Sequence, residues 1–328
     1  MRVTCHWSPG GTKTFRNKSG KIFRTFGNNL QNPSDRICRI HTADPGKILI
    51  QVDQAGAEAL IVAYECRPGR FRDLFINSIK PHTFVALHLF VQQWGKETQY
   101  DAVHLCGLDI PILAVHPDWK SLSKIIKKNH ERYFIGKKTC HSYNYCKSAA
   151  SFRFDVLKES EGKVILSLFQ SELFESIYHG LFPEIKEEQK RIEAQVRSTR
   201  TLRNLFGHPM HFGGRLDDKT IREAVAWKFQ STVGVIASNA FRDMQDYIED
   251  HDVDWDVLNN KHDSVLIQSP ESEWQDAARI LRGYLEPDLV STRGEEFKMK
   301  TEVSIGHNWG KHDEIENPEG MKEVELVA

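Results

Sequence analysis

The segments of this chain that look like β-strands lie near its two ends, and most segments that look like helices lie between them. Residues 47–53 form an apolar run, and strand-like patterns return only around residues 257–268 and 297–306. Helical periodicity occupies much of the interval, over residues 55–66, 83–94, 164–179, 184–203 and 220–248. A sheet built from both ends must carry a helical insertion, so this order predicts an α+β fold.

The remaining segments give weaker predictions. Residues 95–118 contain Pro111 and Pro117 and predict an irregular surface region, whereas residues 124–150 predict one long helix or two. We expect a turn or hairpin over residues 206–215 and a further helix over residues 270–285. Residues 311–328 form an acidic tail that we expect to fray.

The composition is that of a globular chain without a membrane partner. Of its 328 residues, 40% are hydrophobic and 27% are charged, and no apolar run is long enough to span a bilayer. The N-terminus lacks the apolar core of a signal peptide, so we expect a cytoplasmic location. The six cysteines include no CxxC pair and no zinc-ligand spacing, which predicts free thiols.

The formal net charge of −1 does not decide whether the chain binds nucleic acid, because the local potential depends on how charges are distributed. Basic residues cluster over residues 13–24 and 124–138, and acidic residues gather over residues 313–325. A solvated face is the commonest explanation of such a cluster. Two basic clusters that flank one site would favour phosphate contacts.

Two aspartates, far apart in the chain, each stand where an apolar run meets a turn. Asp53 ends the run 47–53, and Asp263 directly precedes the run 265–267. A single aspartate in such a place is usually a turn or cap residue. Two carboxylates brought together would hold a pair of divalent metals, the arrangement that transfers phosphoryl groups. Glu58, on the following helix, is on its own also compatible with an ordinary exposed glutamate.

Two helical faces carry long polar or aromatic side chains. Lys137, His141 and Tyr145 are spaced at i, i+4 and i+8, so a cation and two rings share one face. Lysine binds phosphate and a ring can stack on a base. Arg222 and Gln230 are also i, i+8, and long donors can reach the acceptors of the minor groove. An ordinary half-buried or solvated face is the alternative for both sets.

In their order, these segments resemble the polymerase domain of family A DNA polymerases, in particular the phage-type branch. The resemblance covers roughly residues 12–310. The matching segments are 11–19 with 29–32, 52–58 (motif A), 80–83, 136–145 (motif B), 222–232, 262–264 (motif C) and 304–309.

The resemblance implies a DNA-directed DNA polymerase, a nucleotidyltransferase of DNA replication whose partners are primer–template DNA and dNTPs. It adds dNMP to a primer 3′-hydroxyl by a two-metal mechanism and releases pyrophosphate. The implied fold is the right-hand polymerase fold with an antiparallel palm sheet. Residues 1–64 and 216–310 would form the palm, residues 65–215 a helical fingers insertion, and residues 311–328 an acidic tail.

The resemblance also implies roles for residues of motif A and motif C. Asp53 and Asp263 would be catalytic and would ligate two Mg²⁺ ions. Glu58 would border the nucleotide and exclude a ribose 2′-hydroxyl.

Further roles implied by the resemblance concern the nucleotide and the DNA. His82 and Lys137 would bind the triphosphate, with Lys137 contributing to catalysis, while His141 packs on the incoming nucleotide and Tyr145 borders the template slot. The residues implied to contact primer–template DNA are Arg16, Asn32, Arg222, Gln230 and His262.

Several positions depart from the family's pattern. Tyr133 stands one turn before the motif B lysine, where the family usually has arginine, and Arg132 lies beside it. His141 stands where the family usually has phenylalanine or tyrosine, and Cys146 replaces a glycine. Residues 259–261, before motif C, are polar where apolar residues are typical.

In the family, thumb and exonuclease regions precede the position of Arg16, and only 15 residues precede it here. We therefore expect either a separate polypeptide that supplies them, as in a split phage polymerase, or a truncated gene. A phage-encoded chain would act in the host cell cytoplasm.

Two other functions stay open at this point. A single-subunit RNA polymerase relative would also use a motif C of His-Asp-Ser type, but Glu58 would crowd a ribose 2′-hydroxyl. A non-catalytic DNA-binding or scaffold subunit of a replication complex would keep the fold without turnover, although both metal carboxylates are present.

Overall fold

The computed structural model describes residues 6–8, 11–20, 30–31 and 33–326. The chain divides into two compact units. A sheet unit comprises Met1–Glu58, Arg203–His208 and Trp227–Ala328, and a helical unit comprises Ala59–Leu202 and Pro209–Ala226. Most of the helical unit is thus one insertion between the parts of the sheet unit, as the order of strand-like and helix-like segments predicts.

The described residues form strands and helices in the following order. The first part of the chain contains β1 (His6–Ser8), β2 (Lys18–Gly20), α1 (Asp35–Cys38), β3 (Lys47–Gln54), α2 (Ala57–Glu65), α3 (Arg70–Ile76), α4 (Pro81–Leu89), α5 (Val91–Glu97), α6 (Ala102–Gly107), α7 (Ile110–Val115), α8 (Pro117–Lys128) and α9 (His130–Asn144). The second part contains α10 (Ala149–Glu159), α11 (Leu168–Leu181), α12 (Pro183–Thr199), β4 (Thr201–Arg203), β5 (Pro209–His211), α13 (Asp218–His251), β6 (Asp256–Lys261), β7 (Ser264–Pro270), α14 (Trp274–Leu285), β8 (Asp288–Val290), β9 (Glu296–Lys298), β10 (Thr301–Gly306) and β11 (Lys322–Val324).

The sheet unit is organised around a five-stranded antiparallel sheet of order β11-β10-β3-β7-β6. The strand β3 therefore lies between strands from the other end of the chain. Its residues Ile48, Ile50 and Val52 are buried on one face, as alternation along a strand requires. The helix α14, whose buried residues follow a helical period, packs against β3 and β7. The predicted α+β fold with an antiparallel sheet is confirmed.

The opposite face of the sheet carries a polar row that crosses four strands. Asp53 of β3 is paired with Ser264 of β7 on one side and with Glu302 of β10 on the other. Ser264 is in turn paired with Lys261 of β6. Directly opposed residues point to the same face of a sheet, so these four side chains project together.

The helical unit has an aromatic core. The ring of Phe182 lies 4.9 Å from that of Phe71 and 5.2 Å from that of Tyr178, both in edge-on geometry. The buried hydroxyl of Tyr178 donates to the Asn144 side chain at 2.6 Å, so its polar atom is satisfied. The helices α4, α8 and α12 each begin with proline, which lacks the N–H that a first turn leaves unused.

Two predictions for the helical unit were wrong. Residues 95–118 are not irregular: they contain α6 and α7, which bury Leu105 and Leu113, and Asp101 caps α6. Each of these helices has six residues, too few to display a period. The predicted helix 83–94 is instead two helices, because Phe90 has φ −122° and ψ 28°, outside the helical region.

The C-terminal residues do not fray as expected, at least up to the end of β11. That strand adds to the sheet beside β10, with Val303 opposite Val324. The side-chain amides of Asn308 and Asn317 are buried and bond to each other at 2.8 and 3.1 Å. The predicted closing strand 297–306 is also two strands, since β9 pairs with β8 and only β10 joins the central sheet. Among the described residues, no helix is long and apolar enough to cross a membrane.

Candidate active site

Two neighbouring strands bring Asp53 and Asp263 to the same end of the central sheet. Asp53 is the penultimate residue of β3, and Asp263 lies in the two-residue turn between β6 and β7. The backbone N–H of Gln54 donates to the carbonyl oxygen of Asp263 at 3.1 Å. The two predicted metal ligands are therefore adjacent, although most of the chain separates them in sequence.

Burial and neighbouring charges raise the pKa of both carboxylates. Burial raises the pKa of Asp53 to about 7, and the negative charges of Asp263 and Glu302 add to this effect. The positive charge of Lys261 and the side chain of Gln51 act in the opposite direction. Burial also raises the pKa of Asp263. Two neighbouring carboxylates do not readily ionise together. A cation bound to both would favour their ionised forms, so it would be stabilised strongly.

The turn that carries Asp263 has an unusual backbone. His262 has φ 57°, in the left-handed region that a two-residue hairpin turn usually fills with glycine, asparagine or aspartate. A bulky residue in that region stores strain, which is a common feature of functional turns. Burial, followed by the charge of Arg16, lowers the pKa of His262 and so favours the neutral form of its ring.

Glu58, at the start of α2, is held by two of the predicted DNA-binding residues. Arg16 donates through Nη2 to Glu58 Oε1, and Gln230 donates through Nε2 to Glu58 Oε2 at 3.3 Å. The Arg16 and Glu58 side chains are 21% and 18% exposed. The Nε of Arg16 is buried without a hydrogen-bond acceptor among the described residues. Both oxygens of Glu58 are thereby fixed in orientation.

A close approach to α13 places Arg16 beside Gln230. A Cβ atom on Gly234, one turn beyond Gln230, would lie 2.6 Å from the carbonyl oxygen of Thr14. Only glycine permits the segment before β2 to lie so near the helix. The position of Gly234 is therefore part of what holds Arg16 at the Glu58 carboxylate.

Two polar residues before motif C, Asn259 and Asn260, are buried and donate through their side-chain amides to backbone carbonyl groups. The Asn259 amide donates to the carbonyl oxygen of Leu30 at 2.9 Å, and the Asn260 amide donates to that of Ala237 at 3.3 Å. Buried amides with such partners hold the neighbouring segments in register. Gln31, also buried, donates to the carbonyl oxygen of Asn17. Asn32, a predicted DNA contact, lies outside the described residues.

The helical unit contains the predicted triphosphate-binding residues in one cluster. A Cβ on Gly136 would lie 2.6 Å from the carbonyl oxygen of His82, so α9 packs directly on the first turn of α4. Lys137 and His141 are exposed on α9. Burial, then the charges of Lys137, His141 and Lys80, lowers the pKa of His82 to about 4. The imidazole of His82 is therefore neutral and lies near two lysines, Lys137 and Lys80.

The end of α9 differs from the prediction that Lys137, His141 and Tyr145 share one helical face. The helix ends at Asn144, and Tyr145 lies just beyond it as the C-terminal cap residue. Its ring still contacts that of His141, at 5.2 Å in edge-on geometry. Cys146 has φ 55°, the left-handed conformation for which glycine would be the usual choice. Arg222 is exposed on the part of α13 that belongs to the helical unit.

Arg132 does not take the place of the family's arginine in this helix. Its guanidinium donates to both oxygens of Glu97 at 2.7 and 2.6 Å and lies 4.6 Å from the Trp94 ring. The ring of Tyr133, which occupies that place, lies 6.1 Å from the ring of His82. The charge of Arg132 is therefore used within the fold.

The carboxylate pair fits magnesium by its chemistry. The described residues contain no group of three or more His, Cys, Asp or Glu side chains arranged to hold a metal ion. Magnesium, however, is commonly bound by one or two carboxylates together with substrate phosphates and water. Asp53 and Asp263 are such a pair, and the raised pKa of each, caused first by burial and then by neighbouring negative charge, shows that their ionised forms would gain from a bound cation.

Sequence patterns missed two charged members of this site. Lys261 and Glu302 lie on the same face as Asp53, at either end of the polar row. The alternation of β10 indicates only that Glu302 faces away from the buried Val303. Its position opposite Asp53 depends on strand pairing.

Comparisons with known proteins agree with this architecture at the level of the fold. No family model matches the chain, and no curated protein matches it. Among solved structures, the POL domain of Pol1 from M. smegmatis, in a complex with DNA primer-template and dNTP, matches with a TM-score of 0.64 and 17% sequence identity. The fold is that of a polymerase domain. The match covers 94% of this chain and 48% of that one, so this chain spans about half the length of the solved structure.

Proposed function

We propose that this chain catalyses template-directed DNA synthesis, adding dNMP to a primer 3′-hydroxyl by two-metal-ion nucleotidyl transfer. The observation that carries the proposal is the convergence of Asp53, near the end of β3, and Asp263, in the turn before the neighbouring β7, each with a raised pKa. The likeness in fold to a polymerase domain solved with primer-template and dNTP supports the same function.

In the proposed reaction the primer 3′-oxygen bonds to the α-phosphorus of a dNTP, and the bond from that phosphorus to pyrophosphate breaks. The hydroxyl proton passes to solvent. Asp53 and Asp263 would bind two Mg²⁺ ions through their carboxylate oxygens. When bound, these ions lower the pKa of the hydroxyl and neutralise charge on the triphosphate and on the leaving pyrophosphate.

The other residues would bind and orient the substrates. Lys137 and His141, together with the neutral His82 near them, form a group suited to a triphosphate, because lysine acts as a point charge and an imidazole can donate a hydrogen bond. Glu58, fixed by two donors, would stand as a rigid barrier to a ribose 2′-hydroxyl.

Arg16 would contact the terminal base pair of the primer while it holds Glu58, because a guanidinium has five N–H donors and its contact with Glu58 Oε1 is made through Nη2. Minor-groove acceptors are shared by all base pairs, so such a contact would not depend on sequence. Gln230, Arg222, His262 and Asn32 are proposed to assist in binding primer–template DNA.

A primer-extension assay with the isolated chain, Mg²⁺ and dNTPs tests the proposal. We expect extension that follows the template and that Asp53→Ala and Asp263→Ala abolish, with primer–template binding kept. No extension, even with a candidate thumb subunit added, would favour a non-catalytic scaffold. A preference for rNTPs over dNTPs would favour an RNA polymerase relative instead.

A further inference from the structure

A set of side chains outside the proposed catalytic group approaches Asp53 along the same face of the sheet. Gln51 precedes Asp53 by two residues on β3, so both side chains project from one face. The Gln51 side chain therefore lies next to the Asp53 carboxylate on the sheet. Its amide oxygen accepts from Nε1 of Trp309 at 2.7 Å.

The indole fixes which way the Gln51 amide points. An indole N–H can only donate, so the atom of Gln51 that faces Trp309 must be the oxygen. The NH₂ group is then left to donate to Asp53. Free rotation of the amide would exchange donor and acceptor, and the bond from Trp309 prevents this.

Trp309 is itself held rigidly. Its side chain is 6% exposed and packs in a cluster with Leu49 and Leu266. Its backbone N–H donates to the carbonyl oxygen of His41 at 2.9 Å. A buried ring with these contacts has one orientation. Its N–H therefore holds the Gln51 amide in one orientation as well.

The same indole positions a positive charge. Nζ of Lys261 lies 5.4 Å from the centroid of the Trp309 ring, within the range of a cation–π contact. Lys261 stands at the end of the polar row that contains Asp53 and Glu302. It is the cationic residue of that row, which also holds two carboxylates.

We propose that Gln51, oriented by Trp309, is a positioning residue that sets the Asp53 carboxylate for the metal ions, and that Lys261 on the same indole balances the charge of the row. This inference rests on the proposed role of Asp53 as a metal ligand. A carboxylate turns easily about its last torsion, so a fixed donor on it restricts the orientations presented to a cation.

Binding of Mn²⁺ to the full-length chain, followed by the electron paramagnetic resonance signal of the free ion, tests this without turnover. Trp309→Phe keeps an aromatic ring and removes the N–H donor. We expect it to weaken Mn²⁺ binding about tenfold, as loss of an outer hydrogen bond to a ligand typically does. The matched control is Trp255→Phe, since Trp255 is also 6% exposed and its Nε1 donates to Glu273. That control should bind Mn²⁺ like the wild type.

Single and double variants at Gln51 and Trp309 distinguish a positioning role of these residues from a loss of packing. Gln51→Leu should weaken Mn²⁺ binding as much as Trp309→Phe, and the double variant should be no weaker than Gln51→Leu, because Trp309 acts through Gln51. Lys261→Ala should instead tighten Mn²⁺ binding, because it removes a positive charge beside the carboxylates, and Lys261→Arg should keep the wild-type affinity, because arginine keeps that charge and stacks on the indole.

Wild-type Mn²⁺ affinity in Trp309→Phe, at an unchanged melting temperature, overturns the inference. If Trp309→Phe lowers the melting temperature strongly, Gln51→Leu decides alone, and wild-type affinity in that variant overturns it equally. The variant Asp53→Ala shows whether a negative result contradicts only the positioning role of Gln51 or also the proposed function. If Asp53→Ala leaves Mn²⁺ binding intact, the metal role of Asp53 is wrong, and the positioning role falls with it.

Discussion

Among single residues, Asp53 connects metal binding to the stability of the sheet unit. Burial, with the charges of Asp263 and Glu302, raises its pKa to about 7, whereas an aspartate in an unfolded chain titrates at about 3.9. Between these values the folded chain holds a proton that the unfolded chain releases. The stabilisation from that proton is complete below the lower value and is lost as the pH rises through the higher one.

We therefore expect the free energy of unfolding, without divalent cations, to fall as the pH is raised from about 5 to about 8. Asp53→Asn should flatten this dependence and should stabilise the metal-free chain at the upper pH by roughly 1–3 kcal/mol. Urea titrations in EDTA measure the effect, and added Mg²⁺ should restore stability to the wild type alone. An unchanged pH dependence in Asp53→Asn would contradict the assignment.

Glu58 is a second single residue with a testable role, because each of its carboxylate oxygens accepts a hydrogen bond. Glu58→Ala should raise the acceptance of ribonucleotides by roughly ten- to a hundredfold, because each 1.4 kcal/mol of lost discrimination is a factor of ten. Competition between rNTP and dNTP in single-nucleotide extension measures it. Gln230→Ala, which removes one of the two anchors, should have a smaller effect in the same direction. The exposed Glu296 provides the control variant, Glu296→Ala.

Among elements, the contact of α9 with α4 shapes the cationic cluster. Gly136 lets the two helices approach until its missing Cβ would touch the His82 carbonyl oxygen. Gly136→Ala should force them apart and destabilise the chain by roughly 1–3 kcal/mol, as overpacking does. It should also raise the KM for dNTP, because His82 and Lys137 would separate.

Gly95→Ala is the matched control for that prediction. Gly95 lies in α5, and a Cβ there would meet no atom within 4 Å. Alanine is the better helix former, so this variant should be neutral or stabilised by up to about 1 kcal/mol. Equal effects of the two substitutions on stability and on KM would show that the close approach does not matter.

The sequence predicts the elements with a clear period and misses those without one. The 34-residue helix α13 and the apolar strand β3 follow directly from their patterns. The six-residue helices α6 and α7 are too short to show a period. The buried Asn259 and Asn260 look like solvent-facing residues, because the backbone carbonyl groups to which their amides donate belong to distant segments.

The candidate site is predictable only in part for the same reason. Each aspartate could be placed at a strand end by its neighbours, and that is where both lie. The row from Lys261 to Glu302 could not, because it depends on the register between strands. A slip of one residue would turn Glu302 to the other face, and no local pattern fixes the register of a distant pairing.

For the whole molecule, the sheet unit depends on contacts between distant parts of the chain. The strand β3 pairs with β7 and β10, so the helical insertion must be bridged before the sheet can form. Folds dominated by such long-range pairings form slowly, because the loop must close before the contacts stabilise it.

The C-terminal segment is part of this assembly, and its removal should be costly. Deleting residues 311–328 removes β11 and leaves the buried amide of Asn308 without its bonds to Asn317. We expect the free energy of unfolding to fall by roughly 2–5 kcal/mol, and amide exchange in β10 to accelerate. Deleting only residues 326–328, beyond β11, is the control and should change neither quantity.

The two outermost strands of the central sheet have a consequence for how copies of this chain behave together. At one border β11 has only three residues, and at the other β6 is interrupted by an irregularity between Val257 and Asn259. A short or bulged border offers few backbone groups in register to a foreign strand. At the high concentrations used in purification, we expect this sheet to resist lateral growth into fibrils.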